Sequence, residues 1–322
     1  MAQVSALVRA VRLGWLDKIS DVPEAPPRDI RSWIGSGNFS FLVEPQPKGF
    51  QIFVPDGEHL TGSFAFDANR MSTSAFESVL SIAPVRTVPR SLGWFAIKSY
   101  YAAFFAAHAF LRLEGISCTQ LDTAEVSRLA AVAQAYGFGS ARNLASGFYT
   151  LMFDSAQRTL RFDKAASGGG SHETLWLCYL AAIRDLAKKT ERSDILREEK
   201  KVALDKFGLL AKILTNMSHG GGSWLSHMRN QINYRHHFGV WFPHSHLHDA
   251  DSYFRLIKSI FSRDPVDNEL SEQEDLDAFI KVCMFIVNLT RATILDMAAV
   301  CDGRSFQEDG PLPLLRLGRM AA

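Results

Sequence analysis

Hydrophobic positions along this chain follow several patterns in turn, and each predicts a different kind of element. Residues 4–19 carry apolar side chains at helical spacing until Pro23, Pro26 and Pro27 interrupt them. From Gly37 to Asp67 the spacing shortens. The runs 39–43 and 50–54 are dense in Phe, Val and Ile around a Pro/Gly turn, which predicts a hairpin or meander, with 63–66 as a third short strand. Beyond Pro89 the pattern becomes helical and stays largely so. A helix is expected over 91–114, closed by Gly115 where a C-terminal cap belongs, and a second over 122–136. The pair 148–153 and 159–162 reads equally as a hairpin around Ser155-Ala156-Gln157 or as a helix. Further helices are expected from Ser171 to Thr190, from Ser193 to Asn216 and over 249–261, with 242–248 irregular. The box Ser271-Glu272-Gln273-Glu274 is expected to open a long one ending near Ala299. The last stretch, 303–322, contains Pro311 and Pro313 and reads as a mobile or draped tail.

The sum is a mainly α chain: a β-containing part over 1–88, a helical part over 89–302, and a tail. Composition narrows the picture in two ways. The 322 residues are 47% hydrophobic, enough for a substantial core, while 35 basic against 34 acidic residues give a net charge of only +1. A general polyanion-binding surface is therefore excluded, and any affinity for nucleic acid must come from local clustering. Cys118, Cys178, Cys283 and Cys301 are far apart and form no CxxC pair, which suits buried free thiols in a reducing compartment. The N-terminus lacks a signal-peptide pattern. The apolar stretches 94–113 and 279–300 are broken by Lys98 and His108 and by Asn288, Arg291 and Asp296, so they read as core helices of a cytoplasmic protein with no membrane span.

One interval differs from the rest. Between Asp205 and Asp249 there is no acidic residue, while Lys206, Lys212, Arg229, Arg235 and seven of the ten histidines lie inside it. Within it, Ser223 is placed to cap a helix whose Leu225, Met228 and Ile232 would face a core. On such a helix Arg229, Asn233 and His236 would share one edge, two turns apart.

Two patches carry a resemblance. The first reads Tyr100-Tyr101-Ala102-Ala103-Phe104-Phe105-Ala106-Ala107-His108-Ala109-Phe110-Leu111, followed by Glu114-Gly115-Ile116. It is similar to the Tyr-Tyr-Ala helix of HEPN domains (higher eukaryotes and prokaryotes nucleotide-binding). The second is Arg229-Asn230 followed, after six residues, by His236, which resembles the Arg/polar…His motif of HEPN ribonucleases. The resemblance implies an up-and-down helical bundle that pairs as a homodimer and cleaves RNA without a metal or other cofactor. Arg229 and His236 would be catalytic, with Asn230 supporting, and Asn233, Tyr234, Arg235 and His237 would contact the substrate. The chemistry fits these residue types. An imidazole can move protons between the ribose 2′-OH and the leaving 5′-oxygen, and a guanidinium is matched to phosphate oxygens. The second Arg and His would come from the other subunit. A role in bacterial antiviral defence or toxin–antitoxin growth arrest, with a protein partner such as an antitoxin, is implied in the same way.

Two other readings compete. A catalytically silent HEPN module would use the same groove for a nucleotide or a protein. His244, His246 and His248, with Asp249 beside them, would converge on one metal ion if the segment were extended. The glycine runs 168–170 and 220–222 lack the strand and Lys-Ser/Thr context of a phosphate loop. Ser218-His219 and Ser226-His227 have no acid to complete a triad. The aromatic residues of 94–110 are expected to pack in the core or a dimer contact.

Overall fold

The computed structural model describes residues 5–24, 28–82, 91–165, 170–215, 222–242 and 250–321. The protein is mostly helical, 66%, with eleven α-helices among the described residues and one small four-stranded antiparallel sheet. In chain order these are α1 (Ala6–Arg12), α2 (Ile30–Ser36), β1 (Gly49–Phe53), α3 (Gly57–Leu80), α4 (Leu92–Leu113), β2 (Ile116–Leu121) and α5 (Thr123–Ala135). There follow β3 (Gly147–Asp154), β4 (Thr159–Lys164), α6 (Ser171–Arg192), α7 (Arg197–Leu214), α8 (Trp224–Arg235), α9 (Ala250–Ile260), α10 (Leu276–Val300) and α11 (Pro311–Ala321).

Two long apolar helices sit at the centre. α10 is long and apolar enough to cross a membrane, yet 83% of its most apolar window is buried inside the protein. It lies against α4, whose alanines at 102, 103, 106 and 107 keep the surface low, and Thr290 Oγ1 donates to the Ala106 carbonyl at 3.3 Å. The polar residues that interrupt α10 are all paired. Arg12 grips Asp296 through two hydrogen bonds, and Arg291 and Asn288 bond each other and the carbonyl of Arg263.

The sheet runs in the order β1-β4-β3-β2. Residues 148–153 and 159–162 resolve as the hairpin alternative, with Leu151 opposite Phe162. The expected pairing of 39–43 with 50–54 does not form. Only Ser40 bridges Phe53, and β1 instead pairs along its length with β4, placing Phe50 opposite Phe162 with rings stacked at 4.6 Å. The β structure is thus not confined to the first 88 residues, since three of the four strands come from 116–164. The expected strand 63–66 lies inside α3, where Asp56 caps the helix by accepting from the backbone N–H groups of Glu58 and His59.

Three other boundaries differ from the sequence pattern. The first helix stops at Arg12 because the chain turns to let the Leu16 N–H bond the Leu113 carbonyl at 2.7 Å, under the end of α4. α10 starts at Leu276 because Asp275, not Ser271, takes the cap position and accepts from the Ala278 N–H at 2.8 Å. The segment after Gly303 is not a loose tail. Pro311 opens α11, whose Leu312 and Leu315 are buried, and Gly318 lies so close to the Phe261 ring that a Cβ there would sit 2.3 Å from it. All four cysteines are free; Cys118 and Cys283 are buried, whereas Cys178 and Cys301 are half-buried.

Candidate functional site

α8 carries the apolar stripe expected of it. Leu225, Met228 and Ile232 are buried, and the polar edge of the helix emerges beside α4 and α6. Arg229 leaves that edge and meets the Tyr-Tyr pair of α4. Its guanidinium carbon lies 5.7 Å from the centre of the Tyr100 ring, 5.9 Å from Tyr101 and 5.7 Å from Tyr234. Nη1 donates to Asn230 Oδ1 at 2.7 Å and reaches the Tyr234 hydroxyl at 3.5 Å; Nη2 reaches the Tyr101 hydroxyl at 3.4 Å. Its buried Nε finds no acceptor.

The fourth partner of Arg229 was not visible in the sequence. His172, in the first turn of α6, places Nε2 3.1 Å from Arg229 Nη2 and Nδ1 2.8 Å from the Tyr100 hydroxyl. A guanidinium can only donate, so His172 Nε2 accepts, and the proton of the neutral ring must lie on Nδ1, facing Tyr100. Trp176 Nε1 donates to the same hydroxyl at 3.1 Å, and the His172 ring packs on Phe104 at 4.4 Å. A second proton on His172 would set two donors against each other. Burial, with the charge of Arg229 adding to it, brings the His172 imidazole down from 6.5 to about 4. Burial likewise pushes the Tyr100 phenol up, so it stays neutral.

His236 sits differently from the sequence expectation. α8 ends at Arg235, and His236 occupies its C-cap in the left-handed region at φ 54°, ψ 32°. The helical seven-residue spacing from Arg229 therefore does not hold at its far end, because the chain has already left the helix. Phe238 is also left-handed, at φ 65°, so the chain turns back sharply. Trp241 fastens this turn. Its Nε1 donates to the Ile232 carbonyl at 2.8 Å, its indole covers Gly93 where a Cβ would lie 2.7 Å away, and its ring stands 6.3 Å from that of His236.

The structure thus brings Arg229, Asn230 and Tyr234 together. Asn233 is half-buried on the same helix, while Arg235, His236 and His237 are exposed at the turn and take no part in the Arg229 contacts. Exposed rings lie about that turn: Tyr234 and Phe242 are each 69% accessible and Trp94 60%. His244, His246, His248 and Asp249 lie outside the described residues, as do most of both glycine runs. Among the described residues no three His, Cys, Asp or Glu side chains gather as a metal site would require.

Comparison with family models, with curated proteins and with solved structures finds no match to this chain.

Proposed function

We propose that the Arg229 locus binds the phosphate backbone of RNA and that the protein is an endoribonuclease of the HEPN type. The observation that carries this reading is a meeting of two motifs. Tyr100 and Tyr101, from the Tyr-Tyr-Ala patch, lie against Arg229, from the Arg/polar…His patch, although 128 residues separate Tyr101 from Arg229. Nothing in the helical periodicity of either stretch required that contact.

The division of labour follows from the surroundings of each group. Arg229 is a permanent charge held on aromatic faces, suited to a phosphate oxygen and to the charge that develops on a pentacoordinate phosphorane. His172, kept neutral by burial, positions the guanidinium and does not exchange protons near neutrality. His236, exposed on its fastened turn, supplies the imidazole for proton transfer. Tyr234, Trp94 and Phe242 offer exposed rings on which unpaired bases stack. One chain supplies Arg229 and His236, and a second copy across a cleft supplies the other pair. Attack by the 2′-OH restricts the reaction to RNA and leaves a 2′,3′-cyclic phosphate.

The decisive experiment incubates the purified protein with single-stranded RNA and with its 2′-deoxy counterpart in the presence of a chelator. Cleavage of RNA alone, ending in cyclic phosphate and lost in both Arg229→Ala and His236→Ala, is expected. A second reading, a silent RNA-binding module, is favoured by the placement of His236 beyond the end of the helix that holds Arg229. It predicts RNA binding lost in Arg229→Ala, unchanged in His236→Ala, and no cleavage by any form.

A further inference from the structure

A cluster of arginines lies further along α4 from the tyrosines that meet Arg229. His108 packs edge-on against Phe104 at 4.7 Å, and the His172 ring lies tilted on the same Phe104 at 4.4 Å. Beyond His108 is a cavity of about 190 Å³. Its walls come from α2 and its cap, α3, the last two turns of α4, β2, β3 and the first residue of α6. Three arginines line it, Arg31, Arg70 and Arg112, against two carboxylates, Asp29 and Asp67.

Arg112 is the unusual member. It is only 2% exposed, and Nη1 is spent on its own helix, 2.9 Å from His108 Nδ1 and 3.0 Å from the His108 carbonyl. Its Nε lies 3.7 Å from Asp67 Oδ2, beyond hydrogen-bond reach, and finds no acceptor. Asp67 is already engaged by Arg70 at 2.6 Å, so one carboxylate stands between two guanidinium groups. Asp29 is turned to the start of α2, where it accepts from the Ser32 N–H at 2.8 Å. Buried charge of this kind is expected to be matched and hydrogen-bonded.

Arg31 is paired with Asp122 and Glu125, and the rest of the wall is neutral apart from one helix end. Ser171 begins α6, a 22-residue helix whose N-cap, Gly170, has no side chain to cap it, and its N-terminal end brings partial positive charge to the cavity. Arg70, with 53% of its side chain exposed, stands towards solvent. The geometry points to a binding site for a small tetrahedral oxyanion of the phosphate class. The anion would meet the guanidinium charge of Arg112 in the cavity wall, the mouth arginine Arg70 and the first N–H groups of α6. The space is below the roughly 300 Å³ at which ligand pockets begin, so a phosphate group fits inside while a nucleoside attached to it must stay outside. Because Ser171 precedes His172, an anion here also steadies the turn that presents His172 to Arg229. The inference does not rest on the ribonuclease reading.

The test is titration of the whole protein with inorganic phosphate and, separately, with a nucleoside monophosphate, followed by calorimetry and ³¹P line broadening. Saturable phosphate binding is expected, weakened about tenfold in Arg112→Gln and several-fold in Arg70→Gln, in line with loss of a charge-assisted hydrogen bond. Arg70→Gln alters an exposed side chain, so it reports on binding even if Arg112→Gln fails to fold. Arg316→Gln, at an exposed arginine paired with Glu308, is expected to leave phosphate binding unchanged. A nucleotide that binds more tightly than phosphate, with the same dependence on Arg70, would support the site and identify the anion's source as a nucleotide. Absence of binding at millimolar phosphate, or binding lost in Arg316→Gln and retained in Arg70→Gln, would overturn the proposal.

Discussion

Arg229 and Arg291 are both arginines set into the helical core, and they are furnished in opposite ways. Arg291, on α10, is 8% exposed. It spends Nε on Asn288 Oδ1 at 2.9 Å, Nη1 on the Phe261 carbonyl at 3.3 Å and Nη2 on the Arg263 carbonyl at 2.7 Å. Each of its three nitrogens has an oxygen acceptor, and the network continues through Asn288 to Asn268 at 2.6 Å. Arg229 is half-buried among rings. It has one short oxygen contact, to its neighbour Asn230, two long ones to tyrosine hydroxyls, an imidazole, and an Nε with nothing to bond. A side chain kept for stability is satisfied by the fold, as Arg291 is; one kept for a ligand is held in place and left short of acceptors.

The widest separation between the two should appear on substitution. Arg229→Ala is expected to reduce RNA cleavage by about 10²–10³-fold, the range for removal of one donor aimed at developing charge. Its unfolding free energy should change by less than about 1 kcal/mol, because no buried oxygen depends on it alone. Arg291→Met should do the reverse. It strands the Phe261 carbonyl and the Asn288 amide oxygen in the core, while the Arg263 carbonyl keeps Asn288 Nδ2, an expected loss of about 2 kcal/mol or more, with the specific activity of the folded fraction unchanged. Urea unfolding and cleavage rates measured on both variants test the contrast, and it fails if the two lose stability equally.

The comparison sharpens with pH. Between 6.5 and about 4 the unfolded chain protonates the His172 imidazole and the folded protein does not. A depressed folded value means the stability is fully present above 6.5 and is lost as the pH falls towards 4. His172 is about half-buried, so solvent screens part of the effect. His108, buried and beside Arg112, is shifted in the same direction, so the informative quantity is a difference. Melting temperature plotted against pH should fall less steeply in His172→Gln than in the wild type over that window, and the two curves should run parallel between pH 7 and 8. Identical slopes would mean that the fold does not hold the imidazole neutral.

Much of this arrangement could be read from the chain, and what could not has a physical pattern. α4 was legible because Ser91 precedes it and Gly115, at φ 73°, closes it, with apolar residues filling the turns between. Arg229 was legible through the acid-free interval and the spacing to His236. His172 was not, because it belongs to a different helix, 57 residues upstream, and only tertiary packing brings its ring to the guanidinium. The same non-locality misled the reading of 39–54, where β1 found its partner in β4, more than a hundred residues on. Capping choices misled the rest. Ser271 and Asp275 both offer oxygens, and the nearer one to the apolar run prevailed; Pro311 reads as a breaker but is permitted in the first turn of a helix, where its missing N–H has no partner to lose.

Tyr234 gives the finest test of the comparison, since it touches both the guanidinium and the solvent. Its ring lies 5.7 Å from the Arg229 carbon on one side and is 69% exposed overall. If it only shields the arginine, Tyr234→Phe and Tyr234→Leu should behave alike in RNA binding, because each covers the charge with apolar atoms. If it stacks a base, the two must differ. Phe keeps the face and should bind nearly as well as Tyr, whereas Leu should lose about 1 kcal/mol, roughly fivefold in affinity, at the low end of base–aromatic stacking. The contact to the Tyr234 hydroxyl is long, 3.5 Å, so its removal in Phe contributes little to either arm. Equal affinities for Phe and Leu would confine the role of Tyr234 to the protein's own arginine and place the stacked bases, if any, on Trp94 and Phe242.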